Sequence, residues 1–218
     1  MLHDRDLFLN HFSVSRETLD KLNHYHDLLL KWNRAINLVS RSTQDQIWER
    51  HFLDSAQVLF HMNHFSAKNY RLDLTDSVEE KKTVVDFGSG AGFPSLIMAI
   101  LGVGTVHAIE SDTRKATFLR EVSRETECNL IVHNKRIEKV EPFAVDYVTA
   151  RAFAPLNVIL ELGKAFSNVS RETEFLLLKG RTAEEELTLA QKTWNIVAEK
   201  NASVTDPEAS VLSIRLQG

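Results

Sequence analysis

VVDFGSGAGFPS, residues 84–95, passes from two β-branched residues through Asp86 into three glycines within five positions, and closes on Pro94 and Ser95. Val84, Val85 and Phe87 favour a strand. Gly88, Gly90 and Gly92 allow positive φ and let a ligand approach the backbone closely. Pro94 suits the first position of a helix, where no amide hydrogen is needed. The stretch therefore reads as strand, turn and helix. Glycines that only pack a helix on a strand would look the same, so the turn alone does not define a ligand.

Downstream, short apolar runs at 83–87, 105–110, 129–134, 145–151, 174–180 and 210–216 alternate with helix-like stretches at 94–102, 112–126, 155–167 and 182–193. This alternation predicts an α/β fold: a Rossmann-like parallel sheet with helices on both faces. The strand order is not readable from the runs. Upstream the periodicity is helical. Leu19, Leu22, Tyr25, Leu29, Trp32 and Ile36 share one face of a helix starting near Ser15. A second helix has Thr43 and Gln46 at capping-box spacing and Ile47, Phe52, Ala56, Leu59 and Phe60 as its stripe. The expected organisation is a helical extension at 1–65 packed on the core, a polar connection at 66–82 with one short element, and a core at 83–218.

At 218 residues, 43% hydrophobic and 26% charged, the chain suits one globular unit. A single cysteine, Cys128, excludes an internal disulfide framework and fits a reducing compartment. No apolar run reaches a membrane span and the first residues do not resemble a signal peptide, so a cytoplasmic protein is expected. The nine histidines form no metal-binding motif, and no metal is expected. A net charge of −4 argues against a protein that coats nucleic acid with its whole surface.

Glu110 ends the second strand, 22 positions after Gly88, where a carboxylate can accept from both ribose hydroxyls. The compact spacing of the glycines differs from the dinucleotide fingerprint, and Asp86 suits an ammonium-bearing ligand better than a pyrophosphate. The turn resembles the first motif of class I methyltransferases, whose ligand is S-adenosylmethionine. There is no Asn/Asp-Pro-Pro-aromatic tetrapeptide, and Cys128 does not follow a proline. A target that is already nucleophilic, or a hydroxyl assisted by lysine, remains; N7 of guanine is one such target and needs alignment but no general base.

KWNRAINLVS (31–40), RHFLDSAQV (50–58), VDFGSGAGFP (85–94), IESDTRKATFL (109–119), KRIEKV (135–140), TARAFAPL (149–156) and LLLKG (176–180) occur in one order and spacing. In these motifs the chain resembles the RsmG (GidB) family of bacterial 16S ribosomal RNA guanine-N7 methyltransferases over nearly its whole length. The resemblance implies that Gly88 and Phe93 contact S-adenosylmethionine and Glu110 holds its ribose. Ile137 and Glu138 would lie beside the adenine, and Arg151 would border the reacting end. Phe93 could equally be core, Ile137 packing, and Arg151 a structural partner of Asp86 or Glu138.

The partner implied is 16S rRNA, with an assembling small ribosomal subunit easier to reconcile with the acidic balance than free RNA. A monomer is expected. Arg114, Lys115, Lys179 and Arg181 lie near element ends and are candidate RNA contacts, with Arg151 and Lys179 as candidates for positioning; Lys179 should matter for turnover and little for cofactor affinity. His51 and Asp54, on one side of the second helix, could reach the target base or brace the N-terminal helices, and bracing is expected. Ser95 departs from the family, which usually has glycine there. The rival readings are a methyltransferase of a small molecule or ribose hydroxyl, a nucleotide-dependent oxidoreductase, and a non-catalytic RNA-binding module on this fold.

Overall fold

The structure, a computed structural model, describes residues 4–63, 65, 69–76, 80–167 and 173–217. Helix α1 (Asp4–His11) and strand β1 (Phe12–Val14) precede helix α2 (Arg16–Asn33). The Ser15 hydroxyl accepts from Thr18 N at 3.1 Å, so α2 begins where its sequence pattern places it. It stops before Ile36, because Asn33 Oδ1 accepts from the amides of Leu38 and Val39 and turns the chain.

The expected second helix is not one regular helix. Residues 41–46 are 3-10, Trp48–Leu53 is wound as a π-helix, α3 is only Asp54–Ala56, and Gln57–His61 is 3-10 again. No capping box forms: Thr43 bonds Ser40 and His51 instead. The amides of Trp48 and Glu49 are met by the Asp4 carboxylate at 2.8 and 2.7 Å, a cap supplied from a distant part of the chain. The stripe still works, since Ile47, Phe52, Ala56 and Leu59 are buried and Phe60 partly so. The polar connection contains one short strand, β2 (Leu72–Leu74), paired in parallel with β1. Residues 66–68 and 77–79 of that connection lie outside the described residues.

The remaining elements are β3 (Lys82–Phe87), α4 (Ser95–Ile100), β4 (Gly104–Ile109), α5 (Thr113–Thr126), β5 (Leu130–His133), β6 (Tyr147–Arg151), α6 (Leu156–Lys164), β7 (Glu174–Lys179), α7 (Ala183–Ala190), β8 (Ile196–Ala202) and β9 (Ser210–Leu216). The sheet order is β5-β4-β3-β6-β7-β9-β8. Strands β3 to β7 are parallel, whereas β9 runs antiparallel between β7 and β8. The expected parallel sheet is formed by β3 to β7, and β9 and β8 extend it antiparallel at one edge. Strand β8 has no apolar run in the sequence; as a half-exposed edge strand it tolerates Glu199, Lys200 and Asn201.

Alternation along each strand divides the core in two. Val84, Leu176 and Leu178 face a cluster shared with α2, α4 and α5. Val85, Phe87, Phe175 and Leu177 face the cluster with α6 and α7. The N-terminal helices therefore share a core with one face of the sheet. No helix among the described residues is long and apolar enough to cross a membrane.

Candidate active site

The winding direction reverses at β3, whose neighbours β4 and β6 lead to opposite edges, so the 88–94 turn stands at the switch point where doubly wound sheets bind ligands. Gly88, Gly90 and Gly92 all have positive φ. At Gly92 a Cβ would collide with Leu96, so glycine there lets α4 close onto the turn; at Gly90 the space is open apart from the Gly88 carbonyl. Pro94 sits one place earlier than expected, at the N-cap, after a cis peptide bond from Phe93.

Glu110 follows β4 and closes the turn from the side. Its carboxylate accepts from Gly90 N at 2.8 Å and from Asp112 N at 2.7 Å. One lone pair on each oxygen is left for a ligand. Asn134 donates to the Glu110 carbonyl at 2.9 Å and ties the ends of β4 and β5 together. Ile137 is buried in a 3-10 turn, whereas Glu138 is exposed beside it.

Asp86 lies under the turn rather than on its surface. It is fully buried, so direct contact with a ligand across the turn is closed to it in this conformation. Burial pushes its carboxyl up to about 6, with the hydroxyls of Ser89, Thr149 and Ser95 pulling the other way. Of these only Thr149 makes a regular bond to the carboxylate, at 2.9 Å on Oδ1. Among the described residues, Oδ2 and the buried Ser95 hydroxyl have no hydrogen-bond partner. Ser95 thus brings a hydroxyl toward a half-satisfied carboxylate, near enough to favour its ionised form but outside regular hydrogen-bond geometry. Ser95→Ala should raise the melting temperature by about 2–4 °C, through roughly 1 kcal/mol from removing an unsatisfied hydroxyl; a drop of that size in a thermal melt would mean that the hydroxyl is bonded.

Arg151 ends β6 and pairs with neither Asp86 nor Glu138. Its Nε meets Asp54 at 2.9 Å, one terminal nitrogen donates to the Arg50 carbonyl at 2.8 Å, and the other lies 3.2 Å from His51 Nδ1. The guanidinium also stands 5.6 Å over the Phe93 ring. Phe93 is buried and stacks on His51 with ring centres 5.0 Å apart. Burial, then the charges of Arg151 and Arg50, push the His51 imidazole down to about 3, so it is neutral and accepts from Arg151 while Nε2 faces the Thr43 hydroxyl at 2.9 Å. His51 and Asp54 therefore brace the site itself as well as the helices.

The expected cationic edge is uneven. Lys179 is not a surface charge: its side chain is 9% exposed and its Nζ donates to Ala154 O at 2.7 Å and to Glu186 at 2.8 Å. Arg181 is exposed and 3.4 Å from Glu208, and Arg114 is exposed and 3.8 Å from Asp112; Lys115 is partly buried. Phe153, two residues beyond Arg151, carries no periodic signal in the sequence and was not legible as a site residue, yet it lies directly on Gly88. Among the described residues no group of three or more His, Cys, Asp or Glu is arranged to hold a metal ion.

The residues fit S-adenosylmethionine. The buried, half-satisfied Asp86 calls for positive charge above the turn, Gly90 opens on space, and Glu110 keeps acceptor capacity at the strand end. The sheet and its switch-point turn define the class I methyltransferase fold. A solved S-adenosylmethionine-dependent methyltransferase from Aquifex aeolicus shares it with a TM-score of 0.57 at 15% identity, over 88% of this chain and 97% of that one. A fibrillarin/Nop5p complex matches at 0.53 and 17%, over 77% and 82%.

Within that class the chain belongs to the GidB family, rRNA small subunit methyltransferase G, whose model matches residues 18–212. It is 49% identical to the ribosomal RNA small subunit methyltransferase G of Paramagnetospirillum magneticum, over 93% of this chain and 90% of that protein. The protein of the same description from Rhodospirillum centenum is 48% identical over 93% and 86%.

Proposed function

We infer that this protein transfers a methyl group from S-adenosylmethionine to N7 of a guanine in 16S rRNA. Family membership over 93% of the chain carries the reading, and the Glu110-pinned glycine turn supports the cofactor. When bound, S-adenosylmethionine would supply an electrophilic methyl, leaving the electron pair of its S–C bond on sulfur, and N7 would need no base because it carries a free lone pair. The chain's own task is alignment. Glu110 takes the ribose, Ile137 and Glu138 flank the adenine, and Gly88 and Gly92 shape the turn around the amino-acid end. Phe93 supports the turn from beneath through Arg151 and His51. Asp86 acts by its field on the ligand's ammonium, and Arg151 borders the reacting end.

The test is a titration with S-adenosylmethionine and NAD, followed by labelled methyl transfer to small-subunit particles and to naked 16S RNA. Micromolar binding of the first alone, with transfer best on particles, is expected; binding of NAD would overturn the reading. The titration also has a pH signature. Asp86 has a raised folded pKa, so its contribution to the stability of the free protein is fully present below the ordinary value of 3.8 and is lost as pH rises through about 6. The ionised form favours a cationic ligand, so affinity for S-adenosylmethionine should rise between pH 5 and 7, and Asp86→Asn should flatten that rise.

RNA contact is proposed for Arg181, Arg114 and Lys115, and a monomer acting on an assembling subunit is the proposed state. Lys179 is better placed as a positioning residue that holds Ala154. Arg181→Ala should lower the salt slope of RNA binding by about one. Lys179→Met should leave that slope unchanged while slowing transfer, and an equal change in slope would restore Lys179 to the RNA surface.

A further inference from the structure

A cavity of about 430 Å³ lies at the ends of β6 and β7, next to the glycine turn but not including its glycines. Arg50 and Asp54 from the N-terminal segment and residues of the 203–209 loop before β9 also line it. Phe153 is its border with the turn: the ring lines the cavity and also rests on Gly88, where a Cβ would collide with it.

Phe153 is 37% exposed, whereas Phe87, whose ring meets it edge-on, is buried. Its backbone is held in that pose. Ala152 has φ of 49°, the left-handed region that a residue with a Cβ adopts at a cost. The flanks are fixed on both sides, Arg151 by Asp54 and the Arg50 carbonyl, Ala154 by Lys179, and Leu156 N by Glu186 at 2.7 Å. Hydrophobic burial alone would turn such a ring inward. A strained, clamped loop instead presents it to an open cavity beside the cofactor turn.

We propose that Phe153 is the stacking face for the target base: an unstacked purine enters the cavity and lies on its ring, beside the reacting end of the cofactor. The proposal rests on the methyltransferase reading above. Enzymes that modify a base must take it out of its stack, and proteins hold unstacked RNA bases on aromatic faces. The cavity falls within the roughly 300–1,000 Å³ of small-molecule sites. Such stacking tolerates exchange of one aromatic ring for another and fails with an aliphatic one. The flanking clamps explain how the ring keeps its pose before the RNA arrives, which lowers the cost of ordering on binding.

The experiment uses the full chain with Phe153→Ala, Phe153→Leu and Phe153→Tyr. Affinity for S-adenosylmethionine is read by titration, and methyl transfer to small-subunit particles by single-turnover assay. Cofactor affinity should stay within about twofold in all three, while transfer falls roughly tenfold to a hundredfold in the alanine and leucine variants and is kept within about threefold by tyrosine. If leucine serves as well as tyrosine, or alanine as well as phenylalanine, no stack exists and the proposal falls. If alanine loses cofactor affinity in step with transfer, Phe153 belongs to the cofactor site and the proposal also falls. Failure of the wild-type protein to bind S-adenosylmethionine or to methylate rRNA would instead overturn the functional reading beneath it. The leucine and tyrosine variants keep the comparison available if alanine does not fold.

Discussion

Asp54→Ala should reduce methyl transfer roughly a hundredfold, the scale of a group displaced by about 1 Å from its working position. Asp54 need not touch either substrate for this. Its carboxylate holds Arg151 Nε at 2.9 Å, accepts from Gln57 at 2.8 Å and from Thr205 at 2.7 Å, and so connects three stretches of chain. Removing it leaves the guanidinium, largely out of solvent, with only a carbonyl and a neutral imidazole. Loss of one partner of a well-buried pair costs about 3–5 kcal/mol. With side-chain exposures of 15% and 22% here, about 2 kcal/mol is expected in a denaturant melt. Asp54→Asn should keep most of the fold and still lose much of the rate, because it supplies one acceptor oxygen where three donors now converge. Normal single-turnover transfer in the asparagine variant would show that Arg151 needs no fixed pose.

Glu110→Gln should be nearly as harmful to cofactor binding as Glu110→Ala, although it preserves shape. Both carboxylate oxygens accept backbone amides, from Gly90 and from Asp112. An amide side chain can accept only one of them and must turn its NH₂ toward the other. With hydrogen bonds to charged groups worth about 1.5–3 kcal/mol, losing one of them together with the ribose contact should weaken S-adenosylmethionine binding by roughly a hundredfold. Calorimetric titration of the two variants checks this. Near-normal affinity in the glutamine variant would mean that the turn keeps its shape without the carboxylate.

The switch-point turn, Glu110 and the helices that flank them were legible because their signals are local. Glycine spacing, a strand-ending acid and apolar periodicity all lie within a few residues of the features they specify. The Arg151 clamp was not. His51 and Asp54 read first as helix braces and second as residues reaching the target base, since nothing in the sequence shows that Arg151, a hundred positions later, bonds to both. Lys179 looked like an RNA contact because a lysine at a strand end is ordinarily solvated, and its partners Ala154 and Glu186 become visible only once β6, β7 and α7 pack. Strand β8 escaped notice because an edge strand needs little apolar character. Phe153 was hidden for the opposite reason: an exposed aromatic in a short loop has no period to betray it.

The antiparallel strand β9 also ties the sheet to the acceptor side of the site. It lies inside the sheet, between β7 and β8. The loop leading into β9 supplies Thr205 to Asp54 and Asp206 to Arg50, at 2.7 and 3.3 Å. The glycine turn and Glu110 take no part in those contacts, so loosening of β9 and its loop would open the acceptor side while the turn keeps its own bond from Gly90 to Glu110. Local opening of this edge should therefore cost methyl transfer before it costs cofactor binding.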